Sequence, residues 1–154
     1  MTTFSERLHS LYSQSPDRVA VTLQRSNQPD LPISYAHLLR GAQGFANALE
    51  RENIQAGEVV ILILQHGENL IHSYFGTVLH GAVPSIMPFL TEKLSPERYR
   101  ADLSALISIT RPAAIITYAE FEEEVKTALQ DGDSVRAVIV ADNISAQDIN
   151  ASTW

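Results

Sequence analysis

Apolar residues recur along the chain at two spacings, and each change of spacing marks a new element. Phe4, Leu8, Leu11 and Tyr12 repeat at helical spacing behind Thr3 and Glu6, which stand as a capping box, so a first amphipathic helix is predicted to end near Ser15-Pro16. Val19-Ala20-Val21-Thr22-Leu23 then reads as a strand, residues 25–30 as a polar turn and Leu31-Pro32-Ile33-Ser34-Tyr35 as a short extended segment. Together they predict a hairpin. Ser34 can cap a second helix whose apolar positions Leu38, Ala42, Phe45, Ala46 and Leu49 share one face, with Arg40, Gln43, Asn47, Glu50 and Arg51 largely elsewhere, ending by Asn53.

From residue 59 the pattern changes again. The run Val59-Val60-Ile61-Leu62-Ile63-Leu64 has no polar alternation, as expected of a strand covered on both faces. After the loop Gln65-His66-Gly67, the residues Leu70, Ile71, Tyr74, Phe75, Val78 and Leu79 predict a helix with a wide apolar face, ended by Gly81. Residues 82–87 read as a strand that is short or at an edge, because Pro84 lacks a donor for the ladder. Ser95-Pro96-Glu97 opens a helix with Tyr99, Leu103, Leu106 and Ile107 inward, and Arg111-Pro112 closes it. A strand over 113–117, a helix over 120–129, a turn over 131–134 and a strand over 135–140 complete the pattern. Strand and helix thus alternate, which predicts an open, mostly parallel α/β sheet with helices on both faces. Residues 141–154 are polar and unpatterned, and read as a poorly ordered tail or linker beyond an α/β subdomain of residues 1–140.

Composition narrows the function. The 154 residues hold 11 Lys+Arg against 18 Asp+Glu, a formal net charge of -7, and this charge with no basic cluster disfavours nucleic acid as a partner. The longest aliphatic run, residues 59–64, is far below the roughly 20 residues of a membrane span. No transmembrane segment is expected, and the N-terminal residues lack the basic and apolar regions of a secretory signal, so a cytoplasmic location is expected. The absence of Cys agrees and excludes disulfides, thiolate metal sites and a Cys nucleophile.

Candidate chemistry is sparse. Gly41 and Gly44 lie inside a helix, where small residues permit close packing, and no G-x-G-x-x-G or Walker-type loop is present, so a complete nucleotide site is not expected. The loop over residues 65–69 lies at a strand's carboxyl end, where open α/β sheets place ligands, and its His66, Gly67 and Asn69 are the candidate small-molecule contacts. His72 and His80, eight residues apart, could face the same way, but with no Cys and no suitably spaced acid they read as solvated or capping side chains, and no metal site is assigned. The acids at 120 and 122–124 suit a helix's first turn, and Asp131-Gly132-Asp133-Ser134 has only the opening of a calcium loop. No catalytic residue is identified, and a metal-dependent hydrolase has the least support.

Six segments nevertheless stand in a specific order. They are Ser15-Pro16-Asp17-Arg18-Val19-Ala20-Val21, then Ile33-Ser34-Tyr35-Ala36-His37-Leu38-Leu39, then Ala56-Gly57-Glu58-Val59-Val60-Ile61-Leu62. Tyr74-Phe75-Gly76-Thr77-Val78-Leu79-His80-Gly81-Ala82-Val83-Pro84 follows, with Ser95-Pro96-Glu97-Arg98-Tyr99 and Arg111-Pro112-Ala113-Ala114-Ile115-Ile116-Thr117 after it. In this order they resemble the N-terminal region of the adenylate-forming superfamily of acyl-CoA synthetases, fatty acyl-AMP ligases and peptide-synthetase adenylation domains. His37 stands where that family usually has Glu, and His80 where it has Lys, Arg or Ala.

The resemblance implies an N-terminal fragment of an ATP-dependent ligase that activates a carboxylic acid, a fatty acid above all, as acyl-AMP and passes it to a thiol. ATP, Mg2+ and coenzyme A or a carrier-protein thiol are implied for the parent, and no cofactor for the fragment. The family's phosphate loop, its nucleotide contacts, its magnesium-holding Glu and its catalytic Lys would all follow Trp154, so the fragment is expected to be inactive. Ser34, Tyr35, Gly81, Ala82 and Pro84 match structural motifs rather than a site. The apolar run over 86–90 points either to lipid-like substrates or to core. The partners implied are the remainder of the ligase and its carboxylic acid, with self-association through exposed apolar surface as a further expectation. The alternative is a self-sufficient, non-catalytic α/β module that binds a small ligand or a protein.

Overall fold

The computed structural model describes residues 2–149 and places two sheets side by side. Thr3 caps α1 (Phe4–Gln14): its side chain accepts from the Glu6 N–H at 3.2 Å, while Glu6 accepts from the Thr3 N–H at 2.7 Å. β1 (Val19–Leu23) and β2 (Leu31–Ser34) form the antiparallel hairpin, a two-stranded sheet of its own. Ser34 then accepts from the His37 N–H and starts α2 (Tyr35–Arg51).

The second sheet is parallel. Its strands β3 (Val59–Ile63), β4 (Val83–Ile86), β5 (Ala114–Thr117) and β6 (Ala137–Val140) lie in the order β4-β3-β5-β6. The connections are α3 (Glu68–His80) from β3 to β4, α4 (Pro96–Thr110) from β4 to β5, and a 3-10 turn (Ala119–Phe121) with α5 (Glu122–Ala128) from β5 to β6. Because the path from β3 to β4 and the path from β4 back past β3 to β5 run in opposite directions, right-handed crossovers put α3 and α4 on opposite faces. Side chains alternate accordingly. Val60, Leu62, Ala114 and Ile116 enter the core under α2 and α3, whereas Ile61, Ile63 and Ile115 enter the core with Tyr99, Leu103, Ile107, Phe121 and Val125 of the α4–α5 layer. Each fully buried Ile or Leu contributes about 2 kcal/mol of transfer free energy, which is why β3 and β5 carry no polar position until Thr117. Thr117 is satisfied by donating to the Ile63 carbonyl at 3.0 Å.

β4 is short and at the edge, as Pro84 requires. Val83 donates to the Glu58 carbonyl and Met87 to that of Leu62, so in this register the missing N–H of Pro84 faces the open side of the sheet and blunts it.

Three expectations are corrected. The buried stripe of α3 is His72, Ser73, Gly76 and Thr77, while Leu70, Ile71, Phe75, Val78 and Leu79 are only partly covered and Tyr74 is exposed. The cause is close approach: a Cβ on Gly76 would lie 2.5 Å from the Ala42 carbonyl oxygen and 2.6 Å from Phe45 Cβ, and one on Gly41 would overlap the His72 ring. Small residues let the helices meet, and the large ones sit to either side. Gln43, expected on the outer face of α2, is buried, because α2 is covered nearly all round, and it donates to Asn47 at 2.7 Å. Residues 141–149, though mostly exposed, are anchored rather than loose: Ala141 is fully buried, Ile144 lies on the core, Gln147 donates to the Arg40 carbonyl, and the Ser145 carbonyl fills the space a side chain at Gly44 would need. The rest of the expected tail, residues 150–154, lies outside the described residues.

Two measurements check this packing. Gly76→Ala would gain about 1 kcal/mol of helix propensity, yet the clash with α2 is expected to produce a net loss of about 1–3 kcal/mol in urea unfolding. Unchanged or raised stability would contradict the close approach. At the other end of the sheet, Arg136 donates twice to Glu58 (2.6 and 2.9 Å) and Gln55 donates its N–H at 2.7 Å, which together hold the Glu58 carboxyl at about 2, well below 4.5. A depressed folded pKa stabilises the fold above 4.5, and the effect disappears as pH falls toward 2. In Arg136→Gln an NMR titration of Glu58 should move up toward 4.5 without reaching it, because the Gln55 N–H remains.

Candidate functional site

The strand order reverses between β3 and β5, and open α/β sheets bind ligands at the carboxyl ends of the strands at such a point. A crevice of about 390 Å3 lies there, lined by Leu64, Gln65, His66, Gly67, Glu68, Asn69, Tyr118, Glu120 and Asp142. The three candidates read from the sequence, His66, Gly67 and Asn69, all line it. Their supports differ. His66 is fastened, since its Nε2 donates to the Gln24 carbonyl at 3.1 Å and ties the loop to the hairpin. Gly67 is the residue before α3, in extended backbone, with no side-chain cap. Asn69 lies in the first turn of α3.

The opposite wall could not be read from local pattern. Tyr118 follows β5, stacks on Phe121 at 5.5 Å and bonds through its side chain with Gln65; burial pushes its hydroxyl up, with Gln65 opposing that shift. Glu120, read from the sequence as a helix-start acid, faces the crevice, and Asp142 after β6 accepts the Ala119 N–H at 2.8 Å. Only the sheet order brings these residues to the loop after β3. The lining holds three carboxylates and no Lys or Arg, so like-charge repulsion opposes a nucleotide's phosphates there, and the crevice does not fit ATP. It suits a neutral polar or cationic group.

A second hollow, of about 390 Å3, lies beside the first and shares His66 with it. Its other walls are Val21, Leu70, Ile71, Tyr74, Phe75 and Ile86, so it is apolar, and Ile86 on the edge strand is 56% exposed. Val83, on the same strand, is 48% exposed, and Phe4 stacks on Phe75 at 6.1 Å while half exposed itself. This flank is a partly exposed apolar surface. In the rest of the run over 86–90, Met87, Phe89 and Leu90 are partly buried against the α4–α5 core, and the exposed Pro88 accepts the Tyr99 hydroxyl at 2.7 Å.

The histidines divide. His80 caps the Ile54 carbonyl at 2.6 Å, whereas His72 is neither solvated nor capping: it is 8% exposed and its Nε2 has no hydrogen-bond partner. Burial, and His37 beside it, push its pKa down, with Glu68 opposing that shift. Among the described residues no helix is long and apolar enough to cross a membrane.

Comparison with known proteins agrees with this architecture. The family described as AMP-binding enzyme matches residues 9–153. The L-2-aminoadipate reductase large subunit of Penicillium chrysogenum is 23% identical over 150 residues, which cover 90% of this chain and 10% of that protein. The fatty acid AMP ligase from Legionella pneumophila superposes with a TM-score of 0.72 at 16% identity, covering 92% of this chain and 23% of that one. A benzoate CoA ligase from Burkholderia xenovorans LB400 superposes with a TM-score of 0.67 at 19% identity, covering 100% and 31%. The chain therefore spans between a tenth and a third of the proteins it resembles.

Proposed function

This chain belongs to the AMP-binding enzyme family, and on that footing we propose that it serves as the N-terminal α/β subdomain of an ATP-dependent ligase that activates a carboxylic acid. From ATP and the acid the ligase forms an acyl-adenylate and pyrophosphate, then transfers the acyl group to a thiol, either coenzyme A or a carrier protein, with AMP as the leaving group. The observation that carries this reading is the family match along 9–153 together with the small share of each relative that the chain spans. A fatty acid is the substrate class favoured, supported by likeness to fatty acyl-adenylate ligases, one of them 25% identical over 80% of this chain.

In this role the chain positions and covers rather than reacts. The acidic crevice opposes phosphates, so the ATP phosphates are held by parts of the ligase outside residues 2–149, and His66, Gly67 and Asn69 are left as small-molecule or interdomain contacts. Residues 141–149, folded back on α2, carry the chain out of the subdomain as its linker. The apolar hollow and the edge strand beside it offer a docking face for the rest of the enzyme. An apolar hollow of this size would also serve a self-sufficient small-ligand module, so activity of the longer protein is what separates the two readings.

The test is carboxylate-dependent ATP–pyrophosphate exchange. The 154-residue chain alone is expected to give none with fatty acids of any length, and a longer product of the same gene to give exchange that depends on the acid. Exchange by the chain alone, or none by the longer product with any carboxylic acid, would contradict the proposal.

A further inference from the structure

His37, Glu68 and His72 come from three turns of helix that the fold holds together. His37 is in the first turn of α2, fixed by the Ser34 cap; Glu68 opens α3; and His72 lies one turn further along α3, four residues on, and so on the same face. His37 Nε2 lies 2.9 Å from Glu68 Oε1, the His37 and His72 rings stand 5.3 Å apart, and one ligand atom from each of the three residues lies within 4.8 Å of the others. From this geometry we propose that His37, Glu68 and His72 form a binding site for a zinc-class divalent ion that joins the start of α2 to the start of α3.

Three observations support the assignment. First, His72 is more than nine-tenths buried, and its ring is wedged over Gly41 with Nε2 lacking any partner. Buried polar atoms are seldom left so, and a bound ion would hold this ring in use. Second, two imidazoles and one carboxylate are the donor set of open zinc sites, in which water takes the fourth position; Ca2+ and Mg2+ ask for six or more oxygens, which are not here. Third, the adjustment needed is small and falls on the right side chains. Ligands about 2.0–2.2 Å from zinc stand about 3.3–3.6 Å apart, so His37 and Glu68, 2.9 Å apart with side chains 44% and 40% exposed, must separate slightly as they move toward a fixed His72. Because Glu68 also lines the crevice, the ion would sit at its rim. None of this rests on the ligase reading.

The pair that carries the test is on the surface, since truncating His72 would mix lost ligation with a cavity over Gly41. The whole chain is dialysed against Zn2+, bound metal is measured by atomic absorption, melting temperature is followed in parallel, and Co2+ supplies the visible bands of a low-coordinate site. Wild type and His9→Ala are expected to bind about one equivalent and to melt higher with metal, whereas His37→Gln and Glu68→Gln each weaken binding by about tenfold or more. No binding by wild type, or binding that neither His37→Gln nor Glu68→Gln weakens, would overturn the assignment.

Discussion

The close contact between α2 and α3 is the constraint on which the other parts depend. A two-stranded hairpin is not stable alone, and β1 and β2 gain their core only by packing Leu23 and Ile33 with Leu8, Leu38 and Leu39. That cluster is continued by Ile71, Phe75 and Leu79, so the hairpin is tied to the parallel sheet through α3. Gly76 over the Ala42 carbonyl, and Gly41 under the His72 ring, set how near the two helices come. Their spacing in turn fixes where α3 begins, and with it the loop after β3, the His66 bond to Gln24 and the meeting of His37 with Glu68.

Most of the fold was legible because it is written in local pattern. The two-sided apolar runs of β3 and β5, the caps Thr3, Ser34 and Ser95, and the left-handed Gly81 after α3 each act within a few residues. Pro84 placed β4 at the edge for the same reason. What was not legible depends on contacts between distant segments. Periodicity put the large residues of α3 inward, but a helix that must pass within reach of another backbone turns its smallest residues to it, and nothing in α3 alone reveals that α2 offers Gly41 and Ala42 there. The segment over 141–149 lacks a period of its own and is ordered by grooves on α2 that its own sequence does not record.

The site followed the same division. His66, Gly67 and Asn69 came from the rule for strand ends, which needs only the element order. Tyr118, Glu120 and Asp142 needed the strand order as well, because only the reversal between β3 and β5 brings the later loops to the earlier one. The i, i+4 spacing of Glu68 and His72 is present in the sequence, but their partner His37 is a whole helix away, and His80, the other histidine of α3, caps a carbonyl instead. Function is divided likewise: the family is written across the chain, while the polar crevice carries the wrong charge for phosphates and the apolar flank lacks a cover.

The reading of the hollow and edge strand as a docking face depends on the apolar flank being uncovered in the folded chain. Titration of the native protein with a hydrophobic fluorescent dye, alongside Ile86→Glu, measures this directly, since Ile86 lines the hollow from an exposed edge where the substitution leaves the core intact. Saturable dye binding by the wild type that is lost in Ile86→Glu, with circular dichroism unchanged, is the result expected. Absence of saturable binding, or binding indifferent to the substitution, would contradict the account.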